Sequence, residues 1–393
     1  MRTALLLATL LTACAAKTGA SGDTIALLQR MFAEDPGSPA VLYTFARVRE
    51  DVGDYPGALA WLAQLERSEF DDAIDPEDFR GSLRRPEVRA IAGRLAARAR
   101  VRTASAVALT IDVPELMPEG HAYDPRRDRF LLSSGRQRKV VAVDRAGRAA
   151  DLTRSGQDGL LAVLGMKVDV TRDWVWVAST HAPFMADPSP EARGHSTIHA
   201  FDLATGETRA AVPYARTPSL LNDLDLAADG TVYATDSHSG AVISVRDGEL
   251  RDVLPPGSFE GPNGLALAPD GEQLYVADFR GLHRVALASG SISSLRPPTG
   301  ARTLGGIDGL YFHDGALIGV QNILGRGRVW RLPLAADGTL AAAEILETGR
   351  ADYRNPTTGT FADGDFYYLA NPRSRSGEPL RLLRLPLSAR ARA

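Results

Sequence analysis

Four oxygen-bearing side chains, Glu119, Asn222, Asn263 and Asp308, stand at the same slot of a short recurring motif. Two carboxylates and two carboxamides are hard donors carrying two negative charges. That set suits a hard dication, Ca²⁺ first, because calcium accepts many oxygens in irregular geometry. Zinc fits less well, since no His or Cys occupies the slot. A cation held there could polarise an ester carbonyl, and a neighbouring carboxylate could take a proton from the attacking water. A lactone suits a site without an activated nucleophile, and the chain has no GxSxG elbow. The competing reading is that Asn and Asp cap turns where strands begin.

The slot belongs to a unit that recurs six times, clearest as GPNGLALAPDGEQLYVADF from Gly261 to Phe279. The other copies are EGHAYDPRRDRFLLSS from Glu119, LGMKVDVTRDWVWVAS from Leu164 and NDLDLAADGTVYATDS from Asn222. DGLYFHDGALIGVQ from Asp308 and TGTFADGDFYYLAN from Thr358 complete the set. Each reads as an alternating strand, a tight turn built on Asp-Gly or an equivalent, and a second strand. Successive copies lie about one four-stranded blade apart, which predicts an all-β six-bladed β-propeller over 105–393. A strand near Ala106 to Val113 and LRLLRLPL, Leu380 to Leu387, should complete one blade from both chain ends. The starts of the innermost strands then converge on the axis.

Residues 23–100 read as a small α-helical unit. Val41, Leu42, Phe45 and Val48 fall at helical spacing, Gly53-Asp54-Tyr55 breaks the stripe, and Ala58 to Leu62 resumes it. The GDYPGALAWLAQL stretch resembles one tetratricopeptide hairpin. Such a unit is either a docking surface for a protein partner or a helical spacer packed on the main domain.

Residues 1–14 read as a lipoprotein signal peptide: Arg2, an apolar run from Ala4 to Leu11, and the single cysteine, Cys14, in Leu11-Thr12-Ala13-Cys14. The segment resembles the bacterial lipobox, which implies lipidation of Cys14 and a membrane anchor at the cell envelope. The residue after it, Ala15, is not an inner-membrane retention aspartate, which implies the outer membrane facing the periplasm. Net charge is -3 with both signs interspersed, so nucleic acid is not an expected partner.

The PEG (Pro118-Glu119-Gly120), LND (Leu221-Asn222-Asp223), PNGLALAPDG (Pro262 to Gly271) and IDG (Ile307-Asp308-Gly309) motifs resemble the SMP-30/gluconolactonase/LRE-like family of six-bladed propellers. The resemblance implies Glu119, Asn263 and Asp308 as divalent-metal ligands. It implies Asn222 as ligand or substrate contact and Asp308 as the base. Leu220 stands where sugar-lactone members carry arginine, and Leu164 where paraoxonase-type propellers carry histidine. Neither an aldonolactone substrate nor a His-based mechanism is therefore implied.

Turns between the second and third strands of each blade should share the slot face. That puts there a long loop, Thr180 to His195, and Ser237-His238-Ser239, with His181 and His238 as candidate substrate contacts or auxiliary acid–base groups. Phe184 and Met185 could wall an apolar pocket, and Arg326 or Arg328 could meet a carboxylate product. The expected function is a divalent-metal-dependent hydrolase of a lactone or related ester. The alternative is a non-catalytic cell-envelope binding or scaffold lipoprotein whose metal only ties the blades together.

Overall fold

The computed structural model describes residues 22–387 apart from 69, 188, 297–302, 323–324 and 374–376, with side chains from residue 28 onward. Cys14 and its signal-like segment lie outside the described residues.

Six four-stranded antiparallel sheets follow one another along the chain from residue 106. Their innermost strands are His121–Asp124, Ala162–Asp169, Leu221–Leu226, Leu265–Leu267, Ile307–His313 and Gly359–Ala362, here blades one to six. Each repeat copy forms the two inner strands of a blade, as the alternation requires. The outermost strand of blade six is Ala106–Ile111, paired antiparallel with Leu380–Leu385. The chain ends thus close the ring, and the last blade presents no unpaired strand from one terminus alone.

Apolar faces of adjacent blades form the core. Trp176 and Ile198 of blade two pack with Leu224 and Ile243 of blade three, and Leu282 of blade four packs with Leu310 and Trp330 of blade five. Trp176 is a packing residue, buried against its neighbours.

Four helices precede the ring: α1 (Gly22–Glu34), α2 (Pro39–Asp51), α3 (Tyr55–Arg67) and α4 (Pro86–Arg98). Proline stands in the first turn of α2, α3 and α4, where its missing N–H costs no helical bond. The Asp54 side chain caps α3 by accepting from the Gly57 amide at 3.0 Å. The predicted stripe is the buried face of α2, with Phe45 stacked on Trp61 at 4.6 Å between centroids. One apolar cluster joins all four helices, and Phe279 of the propeller packs against it.

The helical unit therefore sits on the propeller, on turns joining second to third strands in blades four and five. Arg280 pairs with Glu34, and Arg328, buried, pairs with Asp71 at 3.1 Å and Asp72 at 3.4 Å. A Cβ at Gly325 would stand 2.6 Å from the Ala73 carbonyl oxygen, so the contact needs a bare backbone. Arg328 is thus occupied in docking the helices and is not available to a carboxylate product.

Docking leaves three aspartates short of water. Burial, with Asp78 beside it, raises Asp75 to about 6 against the fields of Arg354, Arg326 and Arg47. Burial also raises Asp72 and Asp78. In an unfolded chain Asp75 would lose its proton near the ordinary aspartate value of about 3.9. Between that value and about 6 the folded state binds more protons, so this contribution falls as pH rises through the window and stays lost above it. Asp75→Asn is expected to raise the melting temperature by about 2–4 °C at pH 8 and to leave it unchanged near pH 4. Melting curves of the two chains at both pH values check this, and an equal shift at both removes titration as the cause.

Candidate metal centre

The slot residues meet because the inner strands crowd the axis. In five of six blades the residue after the slot is glycine: Gly120, Gly165, Gly264, Gly309 and Gly359. A Cβ on Gly264 would lie 2.5 Å from the Asp308 carbonyl oxygen, and one on Gly309 would lie 2.9 Å from the Thr357 carbonyl oxygen. Gly120 would clash with the Leu164 carbonyl oxygen, and Gly165 with the Asn222 carbonyl oxygen. The Thr358 hydroxyl donates to the Glu119 carbonyl oxygen at 2.9 Å and carries the ring from the sixth blade to the first.

Second strands hold the slots from behind. Ser133 Oγ accepts from the amides of Glu119 and Gly120 at 3.1 and 2.8 Å. Thr235 Oγ1 donates to the Asn263 carbonyl oxygen at 2.8 Å, and Asn222 Nδ2 donates to Ser237 Oγ at 3.0 Å. Asn263 Nδ2 donates to one Asp308 carboxylate oxygen and Asn322 Nδ2 to the other. These bonds leave the amide oxygens of Asn222 and Asn263 as acceptors.

Both carboxylates are removed from bulk water. Burial pushes Glu119 up to about 7, opposed by Arg373 and reinforced by Asp308. Burial likewise raises Asp308 to about 6, opposed by the Asn322 bond, Arg373 and the Asn263 bond. Among the described residues the ion pair at the ring is Arg373 to Glu119, at 3.7 Å with Arg373 half-exposed. Two largely desolvated anions so weakly balanced form a set that a dication fits, because it would offset their desolvation and mutual repulsion. Among the described residues no cluster of three or more His, Cys, Asp or Glu could hold a metal. Any cation at the ring must therefore rely on the asparagine oxygens as well as the two carboxylates.

The sixth post-slot residue is Asp223, the exception to the glycine pattern. It faces inward beneath the ring, and burial raises it to about 8. Asp223 and Lys167 line a small cavity among the inner strands, and Lys167 pairs with Asp225 at 2.7 Å.

His181 and His238 both lie on second-to-third-strand turns of the slot face, as expected from the blade topology. Neither side chain bonds to a slot residue among the described residues. His238 is exposed, and its backbone amide donates to Asp236 at 3.0 Å beside the Ser237 that holds Asn222. Phe184 and Met185 pack with Ala162 and Ala182 rather than at the ring.

A pocket of about 380 Å³ opens above the ring between blades five and six and the helical unit. Asn322 and Arg373, which touch Asp308 and Glu119, line its floor, and Arg47, Asp75 and Asp78 form its helical wall. A larger cavity of about 830 Å³ lies among the Asp-Gly turns of the opposite face, away from every slot. Asn322 and Arg373 escape sequence reading. The only signal for Asn322 is the polar residue ending the second strand of a copy, and Arg373 lies in a loop outside the repeat.

The tetratricopeptide repeat family matches residues 15–76. No curated protein matches the sequence. In fold the chain is similar to a PQQ-bound aldose sugar dehydrogenase from Streptomyces coelicolor, with TM-score 0.50, 16% identity, and 72% of this chain and 96% of that one covered. It is equally similar to regucalcin, a calcium-binding protein from Agrobacterium tumefaciens, with TM-score 0.50, 17% identity and 72% and 95% covered. A gluconolactonase from Xanthomonas campestris aligns at TM-score 0.48 and 20% identity over 73% of this chain and 100% of its own. The dehydrogenase and the calcium-binding protein share one fold with this chain, so the likeness carries the fold and leaves the chemistry to the site.

Proposed function

We propose that the chain is a divalent-metal-dependent hydrolase of a lactone or related ester, with Ca²⁺ held by Glu119, Asn222, Asn263 and Asp308. The observation that carries this reading is the pair of largely desolvated, under-balanced carboxylates flanked by carboxamide oxygens, reached by Asn322 and Arg373 from the pocket that those two residues line.

A bound dication would polarise the ester carbonyl and stabilise the charge that develops on its oxygen. Asp308 takes the proton of the attacking water as the water oxygen bonds to the carbonyl carbon. The ring C–O bond then breaks, its oxygen regains a proton, and the product is a hydroxy acid. Asn263 and Asn322 orient the Asp308 carboxylate through their two amide bonds. The helical unit and the loop bearing Arg373 restrict water above the ring.

We further propose that Cys14 carries a lipid that anchors the protein to the outer membrane, facing the periplasm. The support is the lipobox-like segment, and no helix among the described residues is long and apolar enough to cross a membrane. Cys14→Ala should move the chain from the membrane fraction to the soluble envelope extract; retention in the membrane contradicts the anchor.

The enzymatic reading is checked with a broad lactone and ester panel and added Ca²⁺, Mn²⁺, Mg²⁺ or Zn²⁺. Hydrolysis should appear, vanish reversibly on chelation, and fall by about 10²–10⁴ in Asp308→Asn. Calcium should also raise the melting temperature, by an amount equivalent to about 2.7 kcal/mol at a hundredfold excess over Kd. A calcium-dependent rise without turnover on any substrate favours the scaffold reading, and no rise at all removes the metal.

A further inference from the structure

The charges lining the pocket above the ring do not cancel evenly. On the helical wall Asp78 is satisfied within its own unit, accepting from Tyr43 Oη at 2.8 Å and pairing with Arg47 at 3.3 Å. Glu77 pairs with Arg80. Asp75 accepts from the Glu77 amide at 2.9 Å, as the cap of the short turn that follows it. Asp78 and Glu77 are thus tied up by the helical unit's own donors, whereas Asp75 has one amide bond and faces the field of Arg354 across the pocket.

On the propeller side two guanidinium groups are less committed. Arg354 donates from Nη1 to the carbonyl oxygens of Ala351 at 3.1 Å and Tyr353 at 2.7 Å. Its Nε is buried with no hydrogen-bond partner, and the acid within its field is Asp75, which makes no ion pair with it at 4 Å or less among the described residues. Arg373 makes one long ion pair among the described residues, with Glu119 at 3.7 Å, and its field also reaches Asp308 and Asp78. A dication taken up by Glu119 and Asp308 would balance those carboxylates and leave Arg373 without its anion. Both arginines line the same pocket as Asn322, whose amide reaches Asp308. A planar guanidinium is the side chain best matched to a carboxylate, through two parallel hydrogen bonds.

We propose that the pocket receives a carboxylate, so that the lactone or ester cleaved at the ring bears an anionic group held by Arg354 and Arg373 beneath the helical unit. The identity of the cleaved bond rests on the hydrolytic reading above; the binding of the carboxylate does not. On this account the helical unit is a wall of the substrate site, and its removal would open the pocket to water. It also explains how the chain manages without an arginine at Leu220: the cationic contact comes from blade six and the loop leading to it.

The test uses the full chain and two matched substrates, a γ-butyrolactone carrying a ring carboxylate and its neutral methyl ester. Wild-type kcat/KM should favour the carboxylate by about tenfold or more, the discrimination expected of one charge-assisted hydrogen bond. Arg354→Gln and Arg373→Gln should each collapse that ratio, mainly through KM for the anion, and Arg354→Lys should restore part of it. In parallel, calorimetry with a hydroxydicarboxylate, the ring-opened form, measures binding without turnover. A weakened affinity in both glutamine variants, with unchanged melting temperatures, supports the inference. Equal turnover of both lactones overturns it while the hydrolase reading stands. Arginine-dependent binding with no turnover of either lactone supports it and removes the hydrolase reading, whereas no binding in wild type overturns it outright.

Discussion

Close approach of six backbones at one axis is the constraint on which the structure depends. In four blades the inner strands meet because a side chain is missing after the slot, at Gly120, Gly165, Gly264 and Gly309. The absent Cβ at those positions lets the next blade's backbone sit against the strand. The side chains one residue earlier are then gathered into a ring no wider than the backbones allow. Packing at the axis and the juxtaposition of Glu119 with Asp308 are thus one arrangement, and desolvation of both carboxylates follows from it. Evolution commonly places such stability costs at sites that bind something.

Around that ring the chain adds elements the repeat does not contain. Asn322 and Arg373 come from turns of blades five and six, and the helices close over the same quadrant. Their docking relies on Arg328 buried against Asp71 and Asp72, with Phe279 inserted in the helical core. Removing one partner would leave a buried charge unbalanced, which is far costlier than losing an exposed pair. The helices are therefore held in register with the slots, and of their acids facing the pocket Asp78 and Glu77 are paired within the helical unit while Asp75 is capped by an amide.

Much of this was legible in the sequence. Alternation with period two and Asp-Gly turns specify strands locally, and six repetitions specify a closed ring. The same alignment places Glu119, Asn222, Asn263 and Asp308 at equivalent starts, so their convergence follows from topology. The amphipathic stripe of Val41, Leu42, Phe45 and Val48 likewise announces α2. What stayed hidden was set by contacts between distant segments. Nothing local to Arg328 distinguishes a buried docking cation from an exposed one, and the sequence reading offered it to a product instead. Arg354 and Arg373 lie in loops with no periodicity, and their importance appears only when the helices cover them. His181 and His238 lie on turns between second and third strands, but a turn alone does not aim a side chain, and among the described residues neither side chain bonds to a slot residue.

The central claim is that the ring holds a dication. The most direct measurement is anomalous diffraction from crystals of the full chain soaked with Ca²⁺ or Mn²⁺. The account predicts a single strong peak on the propeller axis, about 2.3–2.6 Å from carboxylate oxygens of Glu119 and Asp308 for calcium, with Asn263 completing the contact and Arg373 displaced from Glu119. A ring that shows no peak at saturating metal, with Arg373 still against Glu119, would contradict it.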